Sequence, residues 1–257
     1  MVSSYRKNGH TSKITTLIHQ KIEEIGLYYG ERIEFEKIHL GDYKINHCLG
    51  CRTCMDNDED LCPLKDDIAL LKSKINEADG IILASPVFVG DVSSSMKALI
   101  DRLAYLCHRQ EFYNKCALII ATTNATSLRR TIHTIGAATY SWGMKTIATK
   151  GFKTSTSMDS IETLRKRYQK VISKLANKFY MGIKNKSYLK PSLISLIAFN
   201  IQQKYRADPK LSSSVDYEYW NEMGWVDLRK SYYNNHQSNL PKIILAKLVS
   251  KIVCLIY

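Results

Sequence analysis

No stretch of uncharged apolar residues in this chain reaches the ~18–20 residues that a membrane span requires. No G-x-G-x-x-G occurs, so a Rossmann-type nicotinamide site is not indicated. There is no internal repeat and no Ser/His/Asp grouping, and His108 and His133 read as surface or satisfied histidines rather than catalysts. No signal-peptide pattern precedes the first motif, and a cytoplasmic protein is expected. Carboxylates are scarce in one region only. Residues 126–190 hold 14 Lys+Arg against 2 Asp+Glu, whereas residues 1–125 hold 15 against 17 and residues 191–257 hold 8 against 5. The net charge of +13 therefore belongs to the middle of the chain. Such a surface attracts a phosphorylated cofactor, anionic lipid or nucleic acid, but a solvated helix face accounts for most basic runs, and nothing here matches a nucleic-acid module.

What is present is enough for one large α/β domain with an appendage: 257 residues, 45% of them hydrophobic. The organising stretch is Gly80 to Arg102. A buried apolar run, Ile81 to Ala84, reaches Ser85-Pro86, passes the loop Val87-Phe88-Val89-Gly90 and enters a helix with Met96, Leu99 and Ile100 inward. Pro86 cannot donate to a ladder, so the loop lies at the strand's carboxyl end, where open α/β sheets bind ligands. Ser93, Ser94 or Ser95 is expected to cap the helix. An ordinary βα unit without a ligand fits this stretch equally well.

Around it the pattern alternates. A helix is expected over Thr11–Tyr28 with Gly30 as its stop, a strand over Arg32–Leu40, and a helix over Leu64–Ala78. Then come a strand over Lys115–Thr123, a helix over Leu128–Met144, a short strand over Thr146–Gly151 and a long helix over Ser160–Lys184. Strands alternating with helices imply βαβ units and a doubly wound parallel sheet. The long helix sets Ile161, Leu164, Tyr168 and Ile172 on one side and Arg167, Lys170, Lys174 and Lys178 on the other. Residues 186–257 are expected to form a mainly helical extension: a helix from Pro191 to Tyr205, an aromatic loop around Tyr217, Tyr219, Trp220 and Trp225, and a last helix over Lys242–Tyr257. In that last helix Ile244, Leu245, Leu248, Val249, Ile252, Leu255 and Ile256 share one arc and Lys242, Lys247 and Lys251 the opposite half. Packing on its own domain or on a dimer mate is the favoured use of the stripe, ahead of an anionic membrane surface.

The amino-terminal loop, Ser3 to Ser12, runs straight into the first helix. Hydroxyls and backbone N–H groups at a helix start beside an arginine suit a phosphate monoester, and equally suit a capped helix with a basic loop. Cys48, Cys51, Cys54 and Cys62 form C-x2-C-x2-C-x7-C between a strand and a helix. Thiols at this spacing hold zinc or an iron-sulfur cluster, or remain free for redox chemistry, while a disulfide framework is not expected in a reducing cytosol. The run Asp56, Asp58, Glu59, Asp60 inside the last spacing would lower a cluster's potential or simply solvate the loop. Cys107, Cys116 and Cys254 read as packing residues.

SSYRKNGHTSK, SPVFVGDVSSSMKALIDR and CLGCRTC, in that order, resemble the phosphate loop, the SPVY-type loop and helix, and the cysteine loop of the NADPH-dependent FMN reductase family, in its iron-sulfur flavoprotein branch. The resemblance covers roughly residues 3–185. It implies a flavodoxin-like fold of strand order 2-1-3-4-5, with residues 1–185 as an FMN-binding domain. By resemblance Ser4, Arg6, His10, Thr11 and Ser12 would hold the FMN phosphate, and Pro86, Val87, Phe88, Val89 and Gly90 would line the ring with Thr122, Thr123 and Asn124. No side chain would be catalytic, the chemistry resting at flavin N5. His10 replaces the commoner asparagine, and Asn124-Ala125 replaces glycines often found there. The implied activity is electron transfer from NAD(P)H through FMN to a quinone, flavin, metal or protein acceptor, with a 4Fe-4S cluster on Cys48, Cys51, Cys54 and Cys62, in a homodimer or tetramer. A flavodoxin-like electron carrier or a metal-stabilised interaction module is the alternative.

The family places a buried strand before its phosphate loop, whereas only Met1 and Val2 precede the serines here. About four buried aliphatic residues at ~1.5–3 kcal/mol each amount to ~6–12 kcal/mol, comparable with the ~5–15 kcal/mol that holds a domain together. An upstream start, or a fragment, is therefore expected.

Overall fold

Two apolar runs and a mixed third strand find one another as a parallel sheet in the computed structural model, which describes residues 1–155, 157–186, 190–208, 210 and 214–256. Strands β1 (Gly80–Pro86), β2 (Cys116–Thr123) and β3 (Lys145–Lys153) lie in that order. Gly80 stands against Cys116 and Pro86 against Thr122, so β1 and β2 end together at one carboxyl edge. Their centres, Leu83, Ala84 and Leu118 to Ala121, are fully buried. That burial from both sides is why the sequence there is continuously apolar rather than alternating.

Helices cover the two faces. On one lie α1 (His10–Tyr28) and α6 (Ile161–Lys184), whose Ile14, Leu17, Ile18, Leu164, Ile172 and Phe179 close over Ile82, Ala84, Leu118 and Ile120. On the other, α3 (Ile68–Glu77), α4 (Ser94–Arg102) and α5 (Leu128–Ser141) bury Leu71, Ile75, Met96, Leu99 and Ile135 against Ile81, Leu83, Ala117 and Ile119. A short helix, α2 (Thr53–Asp56), lies in the cysteine loop. Arg165, Lys166, Arg167, Lys170, Lys174 and Lys178 are exposed along α6, so the basic middle of the chain is a solvated face.

The first residues enter the sheet. Val2 bridges in parallel to both His39 and Ala84. Val2 N donates to Ile38 O (2.7 Å), Leu40 N to Val2 O (2.9 Å), Ser3 N to Ala84 O (2.9 Å) and Ala84 N to Met1 O (3.0 Å). The segment around His39 and the segment Met1–Ser3 thus sit in turn beside β1, giving the doubly wound order with a very short second member. The strand expected over Arg32–Leu40 is reduced to the bridge at His39. A strand exists only where a neighbour takes up its backbone bonds, and Val2 reaches only this far. Ile33 and Phe35 keep the alternating side-chain pattern, with Phe35 stacked on His19 at 3.9 Å, but between residues 33–38 and Gly80–Ile82 lies a cavity of about 960 Å³ floored by Phe179, Tyr180 and Ile183.

The extension forms α7 (Leu193–Arg206), α8 (Val215–Glu222) and α9 (Leu240–Ile256). Where an aromatic loop was expected, α8 is a helix. Ser214 caps it by accepting from Tyr217 N, and Asp216 and Glu218 occupy its first turn, where carboxylates offset the helix dipole. Phe199, Trp220, Trp225 and Tyr233 make a separate aromatic core that also takes in Tyr113 of the sheet domain. Tyr257, the last residue of the expected terminal helix, lies outside the described residues.

Candidate functional site

Beyond Pro86 the chain turns back at once: Phe88 N donates to Asp91 O (2.8 Å) and Asp91 N to Phe88 O (2.9 Å). Val89 (φ 45°) and Gly90 (φ 82°) both adopt left-handed backbone, as a two-residue primed turn requires. Glycine adopts it freely, but a β-branched valine does not, and strain of about 1–3 kcal/mol is stored there. The turn holds Phe88 and Val89 out into solvent. Val87 N donates to Thr122 O (2.9 Å), which ties the loop to the end of β2.

Serines join this loop to the chain's start. Ser93 N donates to Ser85 Oγ (3.1 Å), and Ser93 Oγ donates to Ser3 Oγ (2.7 Å). Ser93 occupies the N-cap position of α4, but its hydroxyl does not cap the helix. It is drawn instead to Ser3, where a buried hydroxyl and carbonyl need a partner.

The third wall is Ser4 to Ser12. Gly9 begins α1 with no side-chain cap and no acid in the first turn. The first amides of the helix, at His10, Thr11 and Ser12, therefore keep their donors and the positive end of the helix dipole for an anion. Ser4 Oγ accepts from Arg6 N (3.2 Å), and the Arg6 side chain is exposed beside it. Thr11 Oγ1 meets Thr122 Oγ1 at 2.7 Å, binding this loop to the β2 edge. His10 turns elsewhere: its Nε2 accepts from Asp159 N (3.0 Å). Burial, ahead of the opposing pull of Asp159, holds the imidazole below its ordinary pKa and so neutral. Thr123 Oγ1 accepts from Ala125 N (3.1 Å), and Asn124 is exposed. Ser4, Thr11, Ser12, Pro86 to Gly90, Thr122, Thr123 and Asn124 thus share one sheet edge. Uncapped helix amides lie at one end of that edge and the exposed Phe88 and Val89 at the other.

The cysteine loop packs on the face covered by α3 and α4. Gly50 (φ 65°) and Arg52 (φ 63°) fold it back on itself. Cys48, Cys51, Cys54 and Cys62 all line one cavity of about 80 Å³, walled by Leu64, Leu103, Tyr105, Lys72 and Arg102. Among the described residues no three His, Cys, Asp or Glu side chains form a ready site for a single metal ion. Cys48 and Cys51 are exposed at that opening, and Cys54 and Cys62 are half-buried. Cys51 Sγ lies 3.3 Å from Thr53 Oγ1, and this bond lowers its pKa. Burial, then the neighbouring Cys48 and Cys62, pushes the Cys54 thiol up.

Several residues here escaped the sequence reading. Arg102 Nη1 pairs with Asp66 Oδ2 at 2.5 Å, both side chains being almost wholly buried, and Arg102 Nη2 reaches Cys62 Sγ at 3.7 Å. Asp66 also accepts from Asn46 N (2.8 Å), so one carboxylate fixes both ends of the cysteine loop. Lys72 Nζ pairs with Glu59 (3.0 Å) and Glu111 (2.8 Å). Arg109 donates to Cys54 O and reaches Asp216 Oδ1 at 2.7 Å. Asp216, on α8, also meets His108 Nδ1 and Arg206 Nη2, each at 2.9 Å. The extension therefore grips the loop that carries Cys54. A charged residue on the inward face of α4, beside Met96, Leu99 and Leu103, is the signal that marks Arg102 in the sequence; nothing local marks Asp216.

The pattern of NADPH-dependent FMN reductases matches residues 1–158. An iron-sulfur flavoprotein of Archaeoglobus fulgidus is 29% identical over 232 residues, spanning 88% of this chain and 98% of that protein. One of Methanocaldococcus jannaschii is 42% identical over 99 residues, 38% of this chain and 47% of that protein. Among solved structures, a flavone reductase superposes with a TM-score of 0.57 at 16% identity, covering 74% of this chain and 64% of that one, a likeness of fold. The chain belongs to the NADPH-dependent FMN reductase family and is an FMN-dependent oxidoreductase.

Proposed function

We propose that this protein takes electrons from NAD(P)H through FMN and delivers them to a quinone, metal or protein acceptor, with a 4Fe-4S cluster held by Cys48, Cys51, Cys54 and Cys62. The observation that carries the cluster is the single cavity onto which all four cysteines open, with Arg52, Lys72 and Arg102 in its wall. When bound, FMN supplies hydride and one-electron chemistry and the cluster supplies single-electron transfer. The protein's own part is binding and electrostatics. The α1 amides, Ser4, Thr11 and Ser12 receive the phosphate, with Arg6 exposed beside them for a charge-assisted bond. Phe88 and Val89 offer an apolar wall that keeps water from one side of the ring. Arg102, held by Asp66, turns its other amino group to the Cys62 sulfur (3.7 Å) and so favours the thiolate there.

The test is a visible spectrum with iron and acid-labile sulfide analysis on protein purified without oxygen, followed by NAD(P)H oxidation with quinone or ferric acceptors. Flavin bands with about four iron and four sulfide per chain support the reading. Flavin without iron refutes the cluster, and failure to oxidise NAD(P)H leaves an electron carrier in place of a reductase.

A further inference from the structure

Helix α9 meets the rest of the molecule through its small side chains. It packs on α7, and its buried positions are Ala246 and Ser250, one turn apart. The large apolar residues lie opposite. At 3.6 residues per turn Ile244, Leu255, Leu248, Ile252, Leu245 and Ile256 follow one another around an arc of about 120°. All six are 48% to 79% exposed. The stripe that the sequence reading assigned to packing thus faces solvent; of that set only Val249 is half-buried. Lys247 and Lys251 edge the arc on one side and Lys242 on the other, and the helix holds no carboxylate.

A contiguous apolar face of this kind on a folded chain marks an interaction surface. We propose that α9 lies flat on an anionic lipid bilayer, its arc in the acyl boundary and its lysines among the headgroups. Seventeen residues rise only about 26 Å, short of the ~30 Å hydrocarbon core, and among the described residues no helix is long and apolar enough to cross a membrane. A second copy of the chain fits this face less well. In a two-fold contact, parallel or antiparallel, the lysine edges of one helix meet the lysine edges of the other, with no acid on α9 to pair them. Lys251 and Lys247 are exposed at the arc's edge, Lys247 with its Nζ on Leu228 O (3.2 Å), so an anionic headgroup layer meets these two, while Lys242 is half-buried and donates to Pro191 O (2.6 Å). Lysine stems reach such a layer while their carbon chains stay on apolar surface.

The test is flotation of the full chain with vesicles of phosphatidylcholine alone and of phosphatidylcholine with about one-third phosphatidylglycerol, at low and high salt. The protein is expected to float with the anionic vesicles only, and to be released when salt shortens the screening length. Lys247→Gln with Lys251→Gln should weaken binding about twenty-five-fold, at about five-fold for each lysine near the surface. Leu248→Glu with Ile252→Glu should abolish it while the melting temperature and flavin absorbance stay unchanged, since both side chains face solvent. Absence of flotation with anionic vesicles overturns the proposal, as does equal flotation with neutral ones. A dimer in sedimentation that the Leu248→Glu/Ile252→Glu variant dissolves, without flotation, would assign the face to a second copy.

Discussion

Replacing Arg102 by methionine removes one half of an ion pair whose side chains are 2% and 0% exposed. Taking one partner from such a pair leaves an uncompensated buried charge and costs about 3–5 kcal/mol. At about 2–4 °C per kcal/mol for a chain of this size, that is roughly 6–20 °C in melting temperature. Asp66 would be left with only the amides of Asn46 and Ile68. Substituting Asp66→Asn in the same chain discharges the site, and the asparagine carbonyl can still accept from Asn46 N. The double variant should therefore recover most of the loss and sit within about 1–2 kcal/mol of wild type. The assay is urea unfolding followed by tryptophan fluorescence, on both variants and on Asp66→Asn alone. A double variant no more stable than Arg102→Met would refute the reasoning, because the cost would then lie in lost packing rather than in a stranded charge. The pair also sets an acid limit. Burial pushes the Asp66 carboxyl up, but Arg102 and the two amides prevail and hold it below its ordinary pKa. Its stabilising effect is therefore complete above the ordinary carboxylate range and is lost as pH falls through the depressed value.

Asp216, and next the Cys107 bond, raise His108 to about 9. The folded protein keeps that proton longer than the unfolded chain, so the stabilisation is full below the unfolded pKa and disappears as pH rises through about 9. With His108 about one-third exposed, screening leaves about 1–2 kcal/mol of this, and His108→Gln should flatten the melting temperature between pH 6.5 and 9.5. Val89→Gly should stabilise the protein by about 1 kcal/mol in chemical unfolding by relieving the left-handed backbone; destabilisation would show that the valine side chain outweighs the strain. Cys54→Ser should reduce iron and sulfide to below about one per chain while leaving flavin absorbance intact; full iron content would remove Cys54 from the ligand set.

Where side chains repeat with a clear period, the chain could be read in advance. Ile14, Leu17, Ile18 and Ile22 mark α1, the run Ile81 to Ala84 marks β1, and Leu164, Ile172 and Leu175 mark α6, because burial selects apolar residues at the spacing of each element. Arg32 to Ile38 has a strand's alternation without a strand's neighbours, and pairing belongs to tertiary structure rather than to the segment. For α8 the tyrosines and acids give no helical period, and the helix rests on the Ser214 cap and the burial of Trp220. The four cysteines are legible because their spacing is local. Arg102 with Asp66 and Arg109 with Asp216 are not, since 36 and 107 residues separate the partners. His10 sits at a matching motif position, yet Asp159 claims its ring from 149 residues away.

The cavity beside Met1 has a consequence for how this molecule behaves in company. Two lengths of backbone, residues 33–38 and Gly80–Ile82, face each other across it without a ladder between them. An unpaired sheet margin is a template for any extended segment that meets it, which is the first step of edge-to-edge aggregation. Lys74 with Glu36 (2.6 Å) and Lys184 with Glu31 (2.8 Å) put ion pairs among the residues lining that opening. Charges at a sheet margin act as gatekeepers against promiscuous pairing, and these two ion pairs stand where an incoming strand would have to lie.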